Sequence, residues 1–384
     1  MVLTQPTAEI DKVTEKPRLS LQYEKIAKDT HTIRSLDWDR SRFDIEFGLR
    51  NGTTYNSFII RGERTALFDT SHLKFKDLWF EKLKQEINPL DIDFLVVHHT
   101  EPDHSGLIKY LIDLNPSIEI VGSKVAIKFL EDQIHAPFKS KPVKSGDELN
   151  LGINSISGIE HKLEFISAPN LHWPDTIFSF DHGTQVLYTC DAFGLHYCSN
   201  KLFDEDAKIL NEDFRFYYDC LMGPNARSVI QAIKKIDKLP KIKTIAIGHG
   251  PILNFNTELW LNSYREWSQK RNKGENYAVV CYLSQYGFCD RLSQSIAHGI
   301  GKANAQVQLV DLIASDKQEL SALISEASAV VVPTWPIDAD SELQSNIGTL
   351  LASLKPKQWV ATYDSYGGNE EPIDFIVNQL RKLG

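Results

Sequence analysis

Four side chains able to hold a metal ion, His99, Glu101, Asp103 and His104, fall within six residues of the run His98-His99-Thr100-Glu101-Pro102-Asp103-His104. Three further candidates stand alone: His172, Asp191 and His249. Imidazoles and carboxylates together suit borderline and harder transition metals, whereas a structural zinc site uses thiolates. No cysteine lies within the run. The seven side chains comprise four neutral imidazoles and three carboxylates, and three carboxylates with one hydroxide neutralise two divalent cations. That balance suits a dinuclear centre. Asp191, contributed alone, is a natural bridge, because its two oxygens can each bind one metal.

His98 is set apart by backbone geometry. Neighbouring side chains of a strand point to opposite faces, so only one of His98 and His99 joins the site, and the spacing to Glu101 and Asp103-His104 selects His99. His196, close after Asp191, reads as a residue that orients a ligand. His31, His72, His135, His161, His182 and His298 read as turn, surface or core histidines.

Each candidate follows an apolar run. The first cluster lies between the strand-like 94–97 and an amphipathic helix opening at Ser105-Gly106-Leu107, with Ile108, Leu111 and Ile112 on its apolar face. Such a loop holds ligands rigidly, near the positive end of a helix dipole. His172 follows the strand candidate 163–168, Asp191 follows 186–189 and His249 follows 244–247. Four strand ends with complementary ligands are what a site on the rim of a sheet requires. Other strand candidates are 55–60, 65–69, 118–121 and 177–180, and Asp181-His182-Gly183-Thr184 signals a hairpin.

The polar stretch 268–276 lacks apolar periodicity and reads as a linker between a first domain, 1–267, and a second, 277–384. In the second, strands 277–283, 307–312, 329–333 and 358–363 alternate with helices 289–301, 316–327, 341–354 and 371–383. Repeated strand–helix units imply an α/β domain with a parallel, doubly wound sheet.

Composition narrows the function classes. A chain of 384 residues with 42% hydrophobic and 24% charged residues can bury a large core. A net charge of -9 disfavours nonspecific binding to nucleic acid or anionic membranes. Cys190, Cys198, Cys220, Cys281 and Cys289 are odd in number and include no Cys-x-x-Cys pair, which fits reduced thiols and a cytoplasmic protein. No apolar stretch reaches the length of a membrane span. The aromatic run 213–219, with Trp260 and Trp267, reads as a packing surface. Lys234, Lys235, Lys238, Lys241 and Lys243 read as a solvated face that could dock an acidic electron donor.

The chain resembles the flavodiiron proteins of the metallo-β-lactamase superfamily. The resemblance rests on 99–104 (His-Thr-Glu-Pro-Asp-His), Asn170-Leu171-His172-Trp173-Pro174-Asp175, Cys190-Asp191-Ala192-Phe193-Gly194 and Gly248-His249-Gly250. It implies an αββα sandwich holding two iron ions, one on His99, Glu101 and His172, the other on Asp103, His104 and His249, with Asp191 bridging. Related hydrolases usually carry histidine where Glu101 stands, and a carboxylate favours iron in its higher oxidation state.

The second domain is similar to flavodoxin, and the resemblance implies a flavin mononucleotide (FMN) site on three loops at strand ends. Its candidates are Ser284, Gln285, Tyr286, Gly287, Phe288 and Cys289, then Pro333, Thr334 and Trp335, then Ser365, Tyr366, Gly367 and Gly368. Cys289 stands where flavodoxins carry a hydroxyl residue, and four strands are legible where five are expected, as in a truncated domain. Asp37-Trp38-Asp39-Arg40 and 364–368 resemble the photosynthetic branch, which usually continues into a flavin reductase domain.

The expected activity is four-electron reduction of dioxygen to water, with reduction of nitric oxide to nitrous oxide as a second activity. The expected electron donor is NAD(P)H through a flavin reductase, or ferredoxin. The expected assembly is a head-to-tail homodimer or a hetero-oligomer. Two alternatives stand beside it: a zinc-dependent hydrolase of the metallo-β-lactamase type, and a weakly active partner subunit of a hetero-oligomer.

Overall fold

Strands buried on both faces read as continuous apolar runs, and such runs build the centre of the N-terminal domain: every residue of Phe94–Val97, Val186–Cys190 and Thr244–Ile247 is buried. The structure, a computed structural model, describes residues 18–43, 47–272, 277–283, 288–303, 305–313, 315–334, 341–363, 378, 380 and 381. A seven-stranded sheet runs in the spatial order Leu19–Ala27, Thr30–Asp37, Thr53–Arg61, Thr65–Phe68, Phe94–Val97, Glu119–Gly122 and Lys139–Pro142. A five-stranded sheet follows chain order: Glu148–Ile153, Glu160–Ser167, Ile177–Asp181, Val186–Cys190 and Thr244–Ile247.

Phe58, Phe68, Val96, Phe165 and Tyr188 fill the space between the sheets. The outer face of the first sheet is covered through Trp79, Leu83, Leu111 and Leu130 of the helices Lys76–Glu86, Ile108–Leu114 and Lys124–Ile134. The outer face of the second is covered by Ala207–Tyr217, Ala226–Ile236 and Thr257–Arg271. The result is an αββα sandwich. Thr65–Phe68, Phe94–Val97 and Glu119–Gly122 run parallel, as do Val186–Cys190 and Thr244–Ile247. Their carboxyl ends supply loops to the functional end of the sandwich.

The helix Thr257–Arg271 corrects the start of the linker read at 268–276. Ser268 is buried and hydrogen-bonded to the Tyr218 hydroxyl at 2.8 Å, so residues 268–271 are the last turn of a packed helix. The apolar anchors Tyr264 and Trp260 lie one and two turns upstream, which is why the periodicity fades before the helix ends.

The C-terminal domain has a parallel sheet, ordered Gln306–Asp311, Tyr277–Tyr282, Ala329–Pro333 and Trp359–Tyr363 among the described residues. Val279, Cys281, Val330 and Val332 pack there with Leu320, Ile324 and Leu350 from the helices Lys317–Glu326 and Ser341–Ser353. The domains meet through Gln308 Nε2, which donates to Ser228 Oγ at 2.7 Å, and through Arg227, 3.9 Å above the Tyr277 ring. Lys235 pairs with Glu319 across the same junction. No described helix is long and apolar enough to cross a membrane.

Candidate metal centre

The seven expected ligands converge at one end of the sandwich, four from the first sheet and three from the second. Their atoms fall into two groups, His99, Glu101, His172 and Asp191 in one and Asp103, His104 and His249 in the other, with atoms within 4.8 Å of one another in each. Asp191 is divided between the halves. Its Oδ2 lies 3.4 Å from His99 Nε2 and 3.3 Å from His172 Nε2, and its Oδ1 lies 2.8 Å from His104 Nε2 and 3.2 Å from His249 Nε2. Glu101 Oε2 lies 3.1 Å from His99 Nε2 and 3.0 Å from His172 Nε2, while Asp103 Oδ2 lies 3.4 Å from His249 Nε2.

These separations are those of neighbouring ligands on one ion: metal–ligand bonds of about 2.0–2.2 Å set adjacent donor atoms roughly 3 Å apart. Asp103 Oδ1 is buried beside them without a hydrogen-bond partner. The donor set therefore fits a pair of cations. Cys190 also comes near His104 and Asp191, but burial and the carboxylates of Asp69 and Asp191 push its thiol well above the usual value.

The electrostatics agree. Burial alone lowers an imidazole pKa, yet the surrounding carboxylates outweigh it, raising His172 to about 9 and His249 to about 10 and lifting His99 and His104 as well. Burial works against Asp191 too, and the imidazoles around it hold its carboxyl well below the usual range. A field that draws protons to four imidazoles also draws divalent cations.

The loops holding this geometry carry backbone strain. Asp69, Asn170, Cys190 and Phe193 adopt positive φ, between 51° and 66°, at roughly 1–3 kcal/mol each. Hydrogen bonds hold them there: Gly248 N donates to Cys190 O at 2.7 Å, and Phe193 N to the Tyr264 hydroxyl at 3.1 Å. Gly248 must stay bare, because a Cβ would stand 2.8 Å from His104 Cε1. Gly250, at φ 97°, would drive a Cβ to 2.7 Å from Leu195.

His98 points away, as strand alternation requires. Its Nδ1 bonds Asp69 Oδ2 at 2.8 Å and its Nε2 bonds Ser179 Oγ at 2.7 Å. This Asp-His-Ser chain resembles a hydrolase triad, but all three residues are fully or almost fully buried, so no substrate reaches the hydroxyl.

A cavity of about 150 Å³ opens onto the ligands, lined beside them by Arg40, Phe43, His72, His196, Tyr217 and Leu221. His196 bonds Thr53 Oγ1 through Nδ1 at 2.7 Å, while its Nε2 is buried and unpartnered. The Tyr217 hydroxyl is likewise buried and unpartnered. Sequence reasoning placed Tyr217 in a packing surface, and it missed Asp175, which accepts from His99 Nδ1 at 3.2 Å. An aromatic in a helix and an aspartate after proline carry no period that separates a pocket from a loop.

The family model for ODP family beta lactamase matches residues 53–250, which contain all seven ligands. A putative diflavin flavoprotein A 3 from Nostoc is 55% identical over 372 residues, covering 97% of this chain and 64% of the relative. Diflavin flavoprotein A 1 from Synechocystis is 52% identical over 96% of this chain and 63% of its own length. Among solved structures, a metal-soaked flavodiiron core from Synechocystis superposes with a TM-score of 0.68 at 31% identity, covering 96% of this chain and 91% of that one. This chain belongs to the flavodiiron family.

Rubredoxin oxygen:oxidoreductase from Desulfovibrio gigas shares the fold with a TM-score of 0.60 at 25% identity, over 94% of this chain and 90% of that one. The chain spans just under two thirds of the length of the curated flavodiiron relatives it matches. Of the expected FMN contacts, Pro333 ends the Ala329–Pro333 strand and Thr334 follows it, with Thr334 N donating to Tyr363 O at 3.0 Å. Phe288 and Cys289 open the helix Phe288–Lys302. Ser284, Gln285, Tyr286, Gly287, Trp335, Ser365, Tyr366, Gly367 and Gly368 lie outside the described residues. The sheet order changes direction at the strands Tyr277–Tyr282 and Ala329–Pro333, where doubly wound sheets bind their ligands.

Proposed function

We propose that this chain is the core of a flavodiiron oxidoreductase that reduces dioxygen to water, with nitric oxide as a second substrate. The carrying observation is the division of Asp191 between two imidazole–carboxylate groups inside a cavity of about 150 Å³. Drug-sized ligands occupy roughly 300–1,000 Å³. A diatomic molecule fits this space, and Glu101, where related hydrolases usually carry histidine, favours reduction over the zinc-hydrolase alternative.

His99, Glu101 and His172 would hold one iron, Asp103, His104 and His249 the other, and Asp191 both. When bound, two ferrous ions supply two electrons and reduced FMN two more, the four that dioxygen needs to become two waters. Tyr217 keeps its proton, since burial and then the Asp191 charge raise the phenol well above its usual value, and its hydroxyl serves as a hydrogen-bond donor in the cavity. Phe43, whose ring centroid is 4.1 Å from that of His196, lines the cavity with an apolar face.

Electrons come from NAD(P)H through a flavin reductase or from ferredoxin, in a head-to-tail homodimer or hetero-oligomer. Within the basic stretch, Lys235 pairs with Glu319 across the domain junction, and Lys241 and Lys243 precede the strand Thr244–Ile247. The test is iron and flavin content on one preparation, followed by anaerobic reduction and measured uptake of dioxygen and of nitric oxide. Two irons, one flavin and rapid oxygen uptake support the reading. Zinc without flavin, or an iron- and flavin-loaded chain that consumes neither gas, overturns it.

A further inference from the structure

We propose that Asp175 is a positioning carboxylate that makes the two halves of the metal centre unequal, strengthening the half built on His99, Glu101 and His172. The proposal rests on the dinuclear reading above and goes beyond it, because it ranks the two ions. The observation behind it is what stands behind three of the four imidazoles. His99 Nδ1 donates to Asp175 Oδ1 at 3.2 Å, His249 Nδ1 donates to the Thr54 carbonyl at 2.6 Å, and buried His104 Nδ1 has no partner. A carboxylate behind a ligating imidazole fixes its tautomer and raises its basicity; a backbone carbonyl fixes the tautomer with less charge.

Asp175 is built for this task. It is fully buried, and its Oδ2 is occupied by Thr100 N at 2.8 Å and Thr100 Oγ1 at 2.6 Å, which leaves Oδ1 for His99. Its two oxygens thus accept three hydrogen bonds, an arrangement that favours the carboxylate form. Its carbonyl accepts from Ser123 Oγ at 2.7 Å, and the same hydroxyl caps the helix Lys124–Ile134. The carboxylate is thereby fixed to the helix layer as well as to the loop.

The charges then divide unevenly. Glu101 and Asp175 serve one half, Asp103 serves the other, and Asp191 is shared. The more anionic half binds its cation more tightly and favours the ferric state, so the ion on Asp103, His104 and His249 leaves first and is reduced first.

The test compares the full chain with D175N, D175E and S123A. Each is loaded with metal and stripped by a graded chelator, and the ratio of the two dissociation steps is recorded. A redox titration of the iron-loaded chains records the separation of the two one-electron reductions of the centre. D175N is expected to weaken the tighter ion about 10–100-fold and to bring the two steps together. D175E restores part of the separation, and S123A, which loosens the same segment while keeping the carboxylate on His99, leaves the ratio unchanged. Should D175N not fold, T100V, which removes one anchor of the carboxylate, shifts the ratio in the same direction by less.

An unchanged ratio in folded D175N overturns the proposal, as does an equal collapse in S123A. The same stripping experiment on zinc-loaded protein reads the inequality without iron. A chain that accepts only zinc therefore defeats the di-iron reading, while the rank of the two sites still stands or falls on its own ratio.

Discussion

At the end of the sandwich away from the ligand loops, His161 sits between two carboxylates; at the other end, four imidazoles surround three. His161 Nδ1 lies 2.9 Å from Asp181 Oδ2 and its Nε2 lies 3.2 Å from Asp29 Oδ2. Asp181 also accepts from Thr184 and Gly183, and Asp29 from Ser157. Every polar atom of that imidazole is consumed by the fold. At the ligand end each imidazole instead turns Nε2 toward Asp191. Burial and residue type are alike in both places. What separates a brace from a binding site is whether the imidazoles share one centre.

The largest expected effect comes from removing that centre. Asp191→Ala takes a ligand from both halves, so bound iron should be lost and oxygen uptake should fall by on the order of a thousandfold or more, as when one member of a catalytic unit is removed. Metal analysis and an oxygen electrode read this, and normal iron content in the variant would break the comparison.

His98→Ala should act on stability and spare the metals. It leaves Asp69 Oδ2 and Ser179 Oγ buried without their partner, at about 1–3 kcal/mol each, measured by denaturant unfolding of the metal-free chain. A folded variant that cannot hold two ions would instead place His98 among the ligands.

His161→Gln is expected to cost about 1–3 kcal/mol, with a definite pH signature. Burial lowers the His161 pKa, but the hydrogen bonds and charges of Asp181 and Asp29 raise it above the ordinary value overall. The stability it contributes is therefore full below about pH 6.5 and disappears as pH rises through the higher folded-state value. Urea unfolding of the metal-loaded chain at acid and alkaline pH should show the gap between wild type and variant narrowing on the alkaline side. A constant gap would mean that His161 is neutral throughout.

The smallest effect belongs to the exposed lysines. Lys234→Glu and Lys238→Glu should change stability by no more than about 0.5 kcal/mol and leave oxygen uptake intact. A large loss of donor-driven turnover would show that electrons enter at this face.

The sequence made the inner strands and the ligands legible for one physical reason. Parallel strands buried on both faces are continuous apolar runs, and their ends are where His99, Asp191 and His249 stand. The edges were harder to read. Leu19–Ala27 packs Leu19, Leu21 and Tyr23 on the core and alternates them with Ser20, Gln22 and Glu24, while Lys139–Pro142 protects a sheet edge with lysines and a proline. Neither forms an apolar run. Asp175, Thr53 and Tyr217 escaped notice because their roles depend on partners distant in sequence: Asp175 reaches back to His99 and Thr53 forward to His196.

The ligands come from both sheets, and this has a consequence for the life of the chain in the cell. His99, Glu101, Asp103 and His104 belong to one layer, His172, Asp191 and His249 to the other, so bound metal acts as a rivet between halves made at different times during synthesis. An ion present at a thousand times its dissociation constant adds about 4 kcal/mol to folding. Newly made chains that find no iron lack this fastening, open more often and are exposed to proteases, so protein abundance would track iron supply with no dedicated sensor. Pulse proteolysis of metal-loaded and metal-stripped chain should show the difference as a lower open fraction with metal, and equal cleavage would remove the rivet from the account.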